Sequence, residues 1–510
     1  MQGARLLRFI ATLMLGCGMA GTTAGAEEPG GPLVLPFDGT LAIWGGGPMN
    51  DHVAGRLKKL VGPRRETVFL TDKAVPRSGE APRDAHLAGA RRLTLDQNVQ
   101  PDAETIKAID EAHAVWIDAP AQSVRQLVPA LREVLARGGF VGGTLAQLDL
   151  LPRVRIEGGE IERDTQAIDR ALDAGDLDAA FAVPAETLLV IEGRDVTCVG
   201  RAAAAWRLPA PRSAKYGHAG REIVVRPEEE QDLLTIRRAS LARREGDVPG
   251  DKLRTPEVAH GSLLICGGGD LPDSVWQRLI ELAGGPDAKI VFLTASLLDP
   301  DAPNPKGLQL LHKNGARVVE VVAARTPQDA NSPRFAQALH NARAVWFTGG
   351  RQWKYLDAFQ GTVAEKMFRD VLARGGVIGG SSAGAAVQAE YMVRGSPLSN
   401  RIISAEGYER GLDFLPGTAI DIHVSERGRL EEFVGLISRR PNLLGLALDE
   451  KAAVEVHGHQ LTVIGPGEAR IVDFHAGRSH MIGLRRGERF DLQTRQAIDS
   501  EAAQPSGDNR

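Results

Sequence analysis

The sequence predicts an α/β fold made of two tandem domains, each with a mainly parallel sheet flanked by helices. Short apolar runs rich in β-branched residues alternate with segments that place apolar residues three and four positions apart, which is typical of parallel sheets covered by helices. The same order of runs also occurs twice along the chain. Its period of more than 200 residues is far too long for a solenoid of short repeats.

The internal repeat consists of five pairs of similar segments, which occur in the same order in both halves of the chain. They pair residues 41–47 with 263–269, 68–71 with 291–294, 114–116 with 344–346, 134–143 with 371–380, and 193–200 with 458–465. The fourth pair, VLARGGFVGG and VLARGGVIGG, is identical in eight of ten positions. We therefore predict one domain over 32–205 and a second copy of it over 259–475.

Within the second copy, periodicity predicts strands at 263–265, 289–293, 317–322, 344–347 and 377–378, and helices at 274–283 and 363–373. Between the two copies, residues 206–258 contain Pro209, Pro211, the acidic run 228–230 and arginine-rich stretches, and we interpret them as a connector. From 476 onward the chain becomes polar, so we expect a frayed tail over 476–510.

The first 26 residues have the order of a secretory signal peptide. Arg5 and Arg8 precede an apolar stretch over 10–20, and Ala24-Gly-Ala26 fits a small-residue cleavage site. We expect export to a periplasmic or extracellular location; a frayed N-terminal helix is the alternative. A lipoprotein anchored at Cys17 is disfavoured, because Met14 suits that signal poorly. No later stretch reaches the ~18 apolar residues of a membrane span.

Charge and cysteine content exclude several classes of protein. Lys+Arg 61 against Asp+Glu 65 gives a net charge of -4, so the sequence does not predict nucleic-acid binding. Three cysteines rule out a disulfide scaffold and a four-cysteine zinc site. Whether Cys198 and Cys266 form a bridge stays open. Hydrophobic residues at 43% and charged residues at 25% are ordinary for a globular protein.

No cofactor or metal is predicted. The glycine runs 45–47 and 267–269 lack the spacing of dinucleotide- and nucleotide-binding loops, and we interpret them as places of close backbone packing. His457 and His459 have a spacing that suits a metal, but they lie at a predicted hairpin turn with no third ligand nearby.

The second copy contains a candidate nucleophile. Residues 380–384 read G-x-S-x-G between a predicted strand and a predicted helix. Such a nucleophile elbow needs small flanking residues to turn sharply and hold the central side chain, here Ser382, above the sheet. A glycine-rich turn with an unreactive serine is the alternative.

A base and an acid follow in sequence. His423 stands in Asp421-Ile-His423-Val-Ser-Glu-Arg427-Gly-Arg429, and Asp449-Glu450 ends a later apolar run. A serine needs an imidazole to remove its proton, and either carboxylate is suited to orient that imidazole. A structural histidine and solvated carboxylates at a strand end are the alternatives.

The repeat provides a test of this set, because the first copy has lost the chemical residues together. It also lacks the stretch that carries His423. Joint loss is unexpected for packing residues and favours a Ser382-His423-Glu450 set in the second copy. Aligned positions are Leu145 for Ser382, Ala185 for Glu450, Pro184 for Asp449, and Ala119 and Pro120 for Gly349 and Gly350.

Together these motifs resemble the cyanophycinase and dipeptidase E group of serine peptidases, family S51, over roughly residues 260–475. The resemblance implies a class I glutamine-amidotransferase-like (flavodoxin-like) fold in both copies, with Ser382 as nucleophile, His423 as base and Glu450 as third member. The chain order Ser, His, acid differs from that of α/β-hydrolases. The motifs on which the family resemblance rests are Gly267-Gly-Gly269, Phe347-Thr-Gly349-Gly350-x-Gln352, Gly380-Ser-Ser382-Ala-Gly384, Asp421-x-His423-x5-Arg429 and Asp449-Glu450.

The same resemblance implies hydrolysis of aspartyl peptide bonds, either β-Asp-Arg units of cyanophycin or α-linked dipeptides with N-terminal Asp. Backbone N–H groups of Gly350 and Ala383 are the expected oxyanion donors. The substrate pocket is expected to contain Gln352, Asp421, Arg427 and Arg429, although a solvated turn accounts equally well for the two arginines. Ile422, Glu432 and Arg351 depart from the family pattern and alter the expected charge of the pocket.

We further expect the degenerate first copy to pack on the second as an intramolecular pseudo-dimer, giving a monomer whose partner is a peptide or a cyanophycin-like polymer. The rival from another class is a secreted binding protein without activity, in which both copies are scaffolds. An intact Ser-His-Glu set in one copy argues against it.

Overall fold

The structure is a computed structural model that describes residues 37–62, 66–72, 90–96, 100–145, 148–158, 165–212, 220–302 and 305–498. The expected signal peptide over 1–26 and the last residues of the expected tail, 499–510, lie outside the described residues. No helix in these ranges has the length and apolar character needed to cross a membrane.

The N-terminal half contains an eight-stranded sheet in the order β12-β9-β8-β1-β5-β4-β2-β3 and a four-stranded sheet in the order β11-β10-β7-β6. Its strands are β1 Thr40–Trp44, β2 Thr67–Asp72, β3 Arg91–Leu95, β4 Ala114–Asp118, β5 Phe140–Gly143, β6 Val154–Gly158, β7 Ala179–Val183, β8 Thr187–Glu192, β9 Asp195–Gly200, β10 Ala204–Arg207, β11 Glu222–Val225 and β12 Glu230–Asp232. Its helices are α1 Asp51–Val61, α2 Ala103–Glu111, α3 Ala121–Val124, α4 Val128–Ala136, α5 Thr165–Ala174 and α6 Leu233–Glu245, with a 3₁₀ turn at Arg125–Leu127.

The C-terminal half contains a nine-stranded sheet in the order β15-β14-β16-β17-β13-β21-β22-β25-β26 and a five-stranded sheet in the order β18-β19-β20-β23-β24. Its strands are β13 Val258–Cys266, β14 Ile290–Leu293, β15 Val319–Val322, β16 Ala344–Phe347, β17 Val377–Ser381, β18 Ala389–Met392, β19 Leu415–Ile422, β20 Leu444–Leu448, β21 Ala453–Gly458, β22 Gln460–Val463, β23 Ala469–His475, β24 Arg478–Leu484, β25 Arg489–Asp491 and β26 Gln496–Ile498. Its helices are α7 Asp273–Ala283, α8 Lys306–Lys313, α9 Pro327–Ala330, α10 Pro333–Leu339, α11 Gln352–Phe359, α12 Val363–Ala373, α13 Ala383–Ala386 and α14 Leu430–Arg439.

Both large sheets share one arrangement, which confirms the predicted α/β class with mainly parallel sheets. In each, the first strand pairs in parallel with the fifth, and the fourth pairs with the second and the fifth. The strand registers of the two sheets also match: residues that the internal repeat aligns pair with aligned partners. Leu41 pairs with Val141 as Leu263 pairs with Ile378, and Val68 pairs with Val115 as Val291 pairs with Val345.

Two segments differ from their predicted character. The expected connector, 206–258, forms β11, β12 and α6, and β11 extends the four-stranded sheet through β10. Its arginine-rich stretch lies in α6, where Arg237, Arg238 and Arg243 are buried against carboxylates. The expected tail from 476 forms β24, which pairs with β23 of the five-stranded sheet, and β25 and β26, which extend the nine-stranded sheet with Phe490 buried.

The central strand β16 is apolar along its whole length because both of its faces are buried. On one face Trp346 packs against Trp276, with 4.7 Å between ring centroids. On the other face Phe347 lies 5.1 Å from Phe368, which also contacts Phe359 at 5.2 Å. This aromatic cluster lies directly beneath the turn at the end of β17.

We expect Phe368→Ala to lower the free energy of unfolding by about 3–5 kcal/mol, because it leaves a cavity among packed aromatic rings. Denaturant unfolding followed by tryptophan fluorescence measures the change. Leu298→Ala is the control, since Leu298 is 94% exposed and its truncation should alter stability by less than about 0.5 kcal/mol. Equal effects of the two substitutions would contradict this assignment of the core.

Candidate active site

A sharp turn connects β17 to α13 and carries Ser382. This serine has φ 54 and ψ -114, a conformation that L-residues adopt only under local constraint. The flanking glycines make the turn possible. A Cβ at Gly384 would lie 2.6 Å from the carbonyl carbon of Phe347, and one at Gly380 would lie 2.5 Å from that of Gly384. The G-x-S-x-G pattern is therefore required by backbone packing.

Ser382, His423 and Glu450 form a continuous hydrogen-bonded chain. Ser382 Oγ lies 2.8 Å from His423 Nε2, and His423 Nδ1 lies 2.8 Å from Glu450 Oε1. Because the carboxylate only accepts hydrogen bonds, Nδ1 carries the proton and Nε2 is left to accept from the serine hydroxyl. The geometry suits proton transfer from Ser382 to the imidazole.

Strand ends and a glycine run hold the imidazole in place. His423 follows β19 with φ 54, and Glu450 follows the neighbouring parallel strand β20. A Cβ at Gly268 would lie 2.7 Å from His423 Nε2, and a Cβ at Gly269 would lie 2.7 Å from Glu450 Oε2. The run 267–269 therefore serves close backbone packing, as predicted.

Of the two adjacent acids, only Glu450 contacts the imidazole. The Asp449 carboxylate instead accepts from the backbone N–H of Ser425 at 3.1 Å and from Arg470 Nη1 at 2.8 Å. The side chain of Glu426 accepts from the backbone N–H of Glu450 at 3.0 Å. These contacts fix the turn after His423 to the end of β20, so Asp449 supports the loop while Glu450 orients the ring.

Of the expected oxyanion donors, Ala383 directly follows the serine in the chain, and Gly350 follows Gly349, which lies against it. A Cβ at Gly349 would lie 3.4 Å from Ser382 Cβ, and a Cβ at Gly350, which has φ 143, would lie 2.7 Å from the carbonyl carbon of Ser296. Within the part of the chain that the structure describes, the N–H groups of Gly350 and Ala383 donate to no other protein atom. Both donors are thus available to a ligand.

Ser296 is a supporting residue that the sequence did not reveal. Its hydroxyl lies 2.8 Å from the carbonyl oxygen of Gly349 and 3.0 Å from Tyr355 Oη. Tyr355 Oη also donates to the carbonyl oxygen of Thr348 at 2.9 Å. The Gly349–Gly350 turn is held by α11 and by the loop after β14, and an isolated serine after a strand carries no sequence signal of such a role.

His423 has a pKa below its ordinary value. Burial is the main cause, the positive charge of Arg427 adds to it, and the Glu450 carboxylate acts in the opposite direction. The ring is therefore neutral at neutral pH, the state in which it accepts a proton.

The four expected substrate-binding residues differ in accessibility. Gln352 is buried and donates through Nε2 to the carbonyl oxygens of Val393 and Arg394, at 3.1 and 2.8 Å. Asp421 is fully buried, and Arg429 is buried with Nη1 3.4 Å from the carbonyl oxygen of Ile422. Arg427 is exposed. Among these four, Arg427 alone presents its charge to solvent beside His423.

Arg394 is a second residue that sequence reasoning missed. It is 3% exposed, with Nε 3.1 Å from Asp421 Oδ2 and Nη2 2.6 Å from Glu432 Oε2. Burial raises the pKa of Asp421, while Arg394 opposes that shift. Glu432, a departure from the family pattern, therefore has a defined partner. Arg394 and Asp421 are distant in sequence and meet only in the folded chain, so no local motif predicts their contact.

The remaining candidates are structural. Cys198 and Cys266 are free, buried and in different sheets. His457 Nδ1 lies 2.7 Å from the carbonyl oxygen of Gly261, and His459 Nδ1 lies 3.0 Å from that of Pro256. No group of three potential metal ligands occurs among the described residues.

Comparison with known proteins places this site in a family. Residues 263–464 match the model of peptidase family S51. A cyanophycinase of Synechococcus elongatus is 30% identical over 236 residues, which are 44% of this chain and 72% of that relative. The chain belongs to peptidase family S51. A second S51 relative, the cyanophycinase of Geminocystis herdmanii, is 26% identical over 269 residues, 48% of this chain and 97% of the relative.

The S51 match contains Ser382, His423 and Glu450, and it leaves the N-terminal half outside. Membership of this family supports a peptidase with a peptide substrate. A solved structure of a peptidase from an acI-B1 Actinobacterium is 19% identical, with a TM-score of 0.36 over 46% of this chain and 97% of that chain.

We expect His423 to titrate below the ordinary imidazole pKa of about 6.5, because burial and Arg427 both disfavour its cation. Arg427→Gln removes one of these causes and should shift the pKa upward. NMR titration of histidine-labelled protein measures both values. A wild-type pKa above about 6.5, or no upward shift in the variant, would contradict the electrostatic argument.

Proposed function

We propose that the chain is an exported serine peptidase that hydrolyses aspartyl peptide bonds, with Ser382 as nucleophile, His423 as base and Glu450 as the group that orients it. The observation that carries the proposal is the unbroken hydrogen-bonded chain from Ser382 Oγ through the imidazole to Glu450, with 2.8 Å at both links. A serine held at positive φ above its sheet adds support.

The mechanism follows from these contacts. His423 Nε2 takes the proton of Ser382 as the oxygen attacks the amide carbon, and Glu450 stabilises the resulting imidazolium. The N–H groups of Gly350 and Ala383 stabilise the oxyanion, each lowering the barrier by about 3 kcal/mol. The imidazolium then protonates the leaving amine. Water, activated by the same base, hydrolyses the acyl-enzyme.

For the substrate we propose a peptide with a free carboxylate near the scissile aspartyl bond. Arg427 is exposed next to His423, and a guanidinium fork binds a carboxylate through two hydrogen bonds. Asp421 and Glu432 are already paired with Arg394, so their charges are compensated within the protein. Because the relatives are named cyanophycinases, we propose cyanophycin as this substrate; an α-aspartyl dipeptide is the alternative.

We also propose that the N-terminal half is a degenerate copy without chemistry of its own. Leu145 stands where the repeat places the nucleophile, and it is fully buried. Pro120 stands where Gly350 donates, and proline has no N–H. Export is proposed from the sequence of residues 1–26. A binding protein without activity remains the competing function, and the next experiment separates the two.

Purified residues 27–510 should release β-Asp-Arg from insoluble cyanophycin, and Ser382→Ala should reduce the rate by at least about 10³-fold. Chromatography of the soluble dipeptide measures release, and a fluorophosphonate probe reports labelling of the serine. Labelling of the serine without release of the dipeptide would favour α-aspartyl peptides as the substrate instead of cyanophycin. Absence of both would favour the binding protein and refute the peptidase.

The two adjacent acids allow a matched comparison. Glu450→Gln should lower kcat by about 10³–10⁴-fold, because the amide no longer fixes the imidazole tautomer or stabilises its cation. Asp449→Asn should cause a far smaller loss, since Asp449 contacts Ser425 and Arg470 instead of the ring. Steady-state kinetics of both variants on the same peptide measure the effects, and the reverse order would exchange the proposed roles.

A further inference from the structure

Helix α6 has arginines on two sides, each directed at a buried carboxylate. Towards the N-terminal half, Arg244 Nη2 lies 2.6 Å from Asp178 Oδ1. Towards the C-terminal half, Arg238 Nε lies 2.9 Å from Asp357 Oδ1. Asp178 and Asp357 are 1% and 8% exposed. The arginine-rich stretch noted in the sequence therefore joins the two halves through ion pairs shielded from water.

The Asp357 carboxylate accepts hydrogen bonds from side chains of both halves. Besides Arg238, it accepts from Arg194 Nη1 at 2.9 Å and from Tyr408 Oη at 2.8 Å. Arg238 Nη1 also donates to Gln360 Oε1 at 2.5 Å. Arg238 and Arg194 thus compensate the buried carboxylate, and the Tyr408 hydroxyl adds a hydrogen bond. Because Arg194 is shared with Asp232, loss of Arg238 leaves Asp357 only partly compensated in a buried site.

The helix that carries Asp357 is the helix that borders the active site. Helix α11 begins at Gln352, two residues after Gly350. Trp353 and Asp357, four residues apart, share the face directed at the N-terminal half, where Arg194 lies 4.4 Å from the Trp353 ring. Tyr355 instead bonds to Ser296 and Thr348 beneath the oxyanion turn.

We propose that Arg238 and Asp357 are positioning residues for the peptidase reaction: through α11, the N-terminal half holds the N–H of Gly350 in place for the oxyanion. The chemical consequence rests on the proposed function, whereas the mechanical coupling does not. Neither residue touches substrate. Their effect reaches the reaction through the start of α11 and the turn that precedes it.

The test compares two arginines of the same helix in the full chain. Arg238→Met and Arg244→Met each remove a guanidinium from a buried carboxylate and retain the length of the stem, so both should lower Tm. Only Arg238→Met should slow phosphonylation of Ser382 by a fluorophosphonate, by about tenfold or more, since small displacements of catalytic groups have effects of that size. It alone should also accelerate hydrogen exchange at the amides of Arg351 and the first turn of α11.

Equal phosphonylation rates and equal exchange in the two variants would overturn the proposal. If wild-type protein is not labelled, the serine peptidase fails, and the exchange comparison alone decides whether α6 holds α11. If Arg238→Met does not fold, Asp357→Asn and Asp178→Asn provide the same comparison, because an amide retains the shape of the carboxylate and removes its charge.

Discussion

The site depends on two sheets whose strands end at the same place. Ser382 follows β17 of the nine-stranded sheet, whereas His423 and Glu450 follow β19 and β20 of the five-stranded sheet. The hydrogen bond between Ser382 Oγ and His423 Nε2 therefore joins two separately hydrogen-bonded layers. The backbone of Gly268, after β13, lies against the imidazole, where any side chain would push the layers apart. The hydrogen bond between Ser382 and His423 therefore depends on the same close packing that holds the two sheets together.

Of the charged groups around His423, Arg394 is paired inside the protein, whereas Arg427 is exposed to solvent. Arg394 pairs with both Asp421 and Glu432; the pair with Asp421 is buried and is therefore little screened by salt, whereas the Glu432 side chain is 45% exposed. Arg427 lies outside this cluster and lowers the pKa of His423 from the exposed side. A negative group bound at Arg427 would weaken that influence. Under the proposed function, a substrate carboxylate at Arg427 would therefore make the imidazole more basic, while Arg429, which also lowers its pKa, would keep its effect.

Where the signal is local or repeated, sequence reasoning selected residues that the structure brings together. Five adjacent residues, 380–384, form the motif that predicts the turn around Ser382. The internal repeat pointed to His423 and Glu450, because the first copy has lost both of them. Sequence reasoning failed for Arg394 and Ser296, whose partners are distant along the chain. Polar composition was also misleading over 206–258, where the arginines of α6 are buried against carboxylates, and after 476, where a polar stretch forms strands instead of a frayed tail. Long-range ion pairs leave no mark in a single sequence.

Ser382 and His423, the proposed nucleophile and base, both have a positive φ, 54 in each case. Each such residue costs about 1–3 kcal/mol, so the folded C-terminal half is less stable than the same sheets without chemistry would be. Leu145, after the corresponding strand of the N-terminal half, is not in that conformation. The conformational cost of holding these two side chains is thus carried by the C-terminal half, and the N-terminal half, whose positive-φ residues Arg153, Glu186 and Glu228 lie elsewhere in its fold, does not share it.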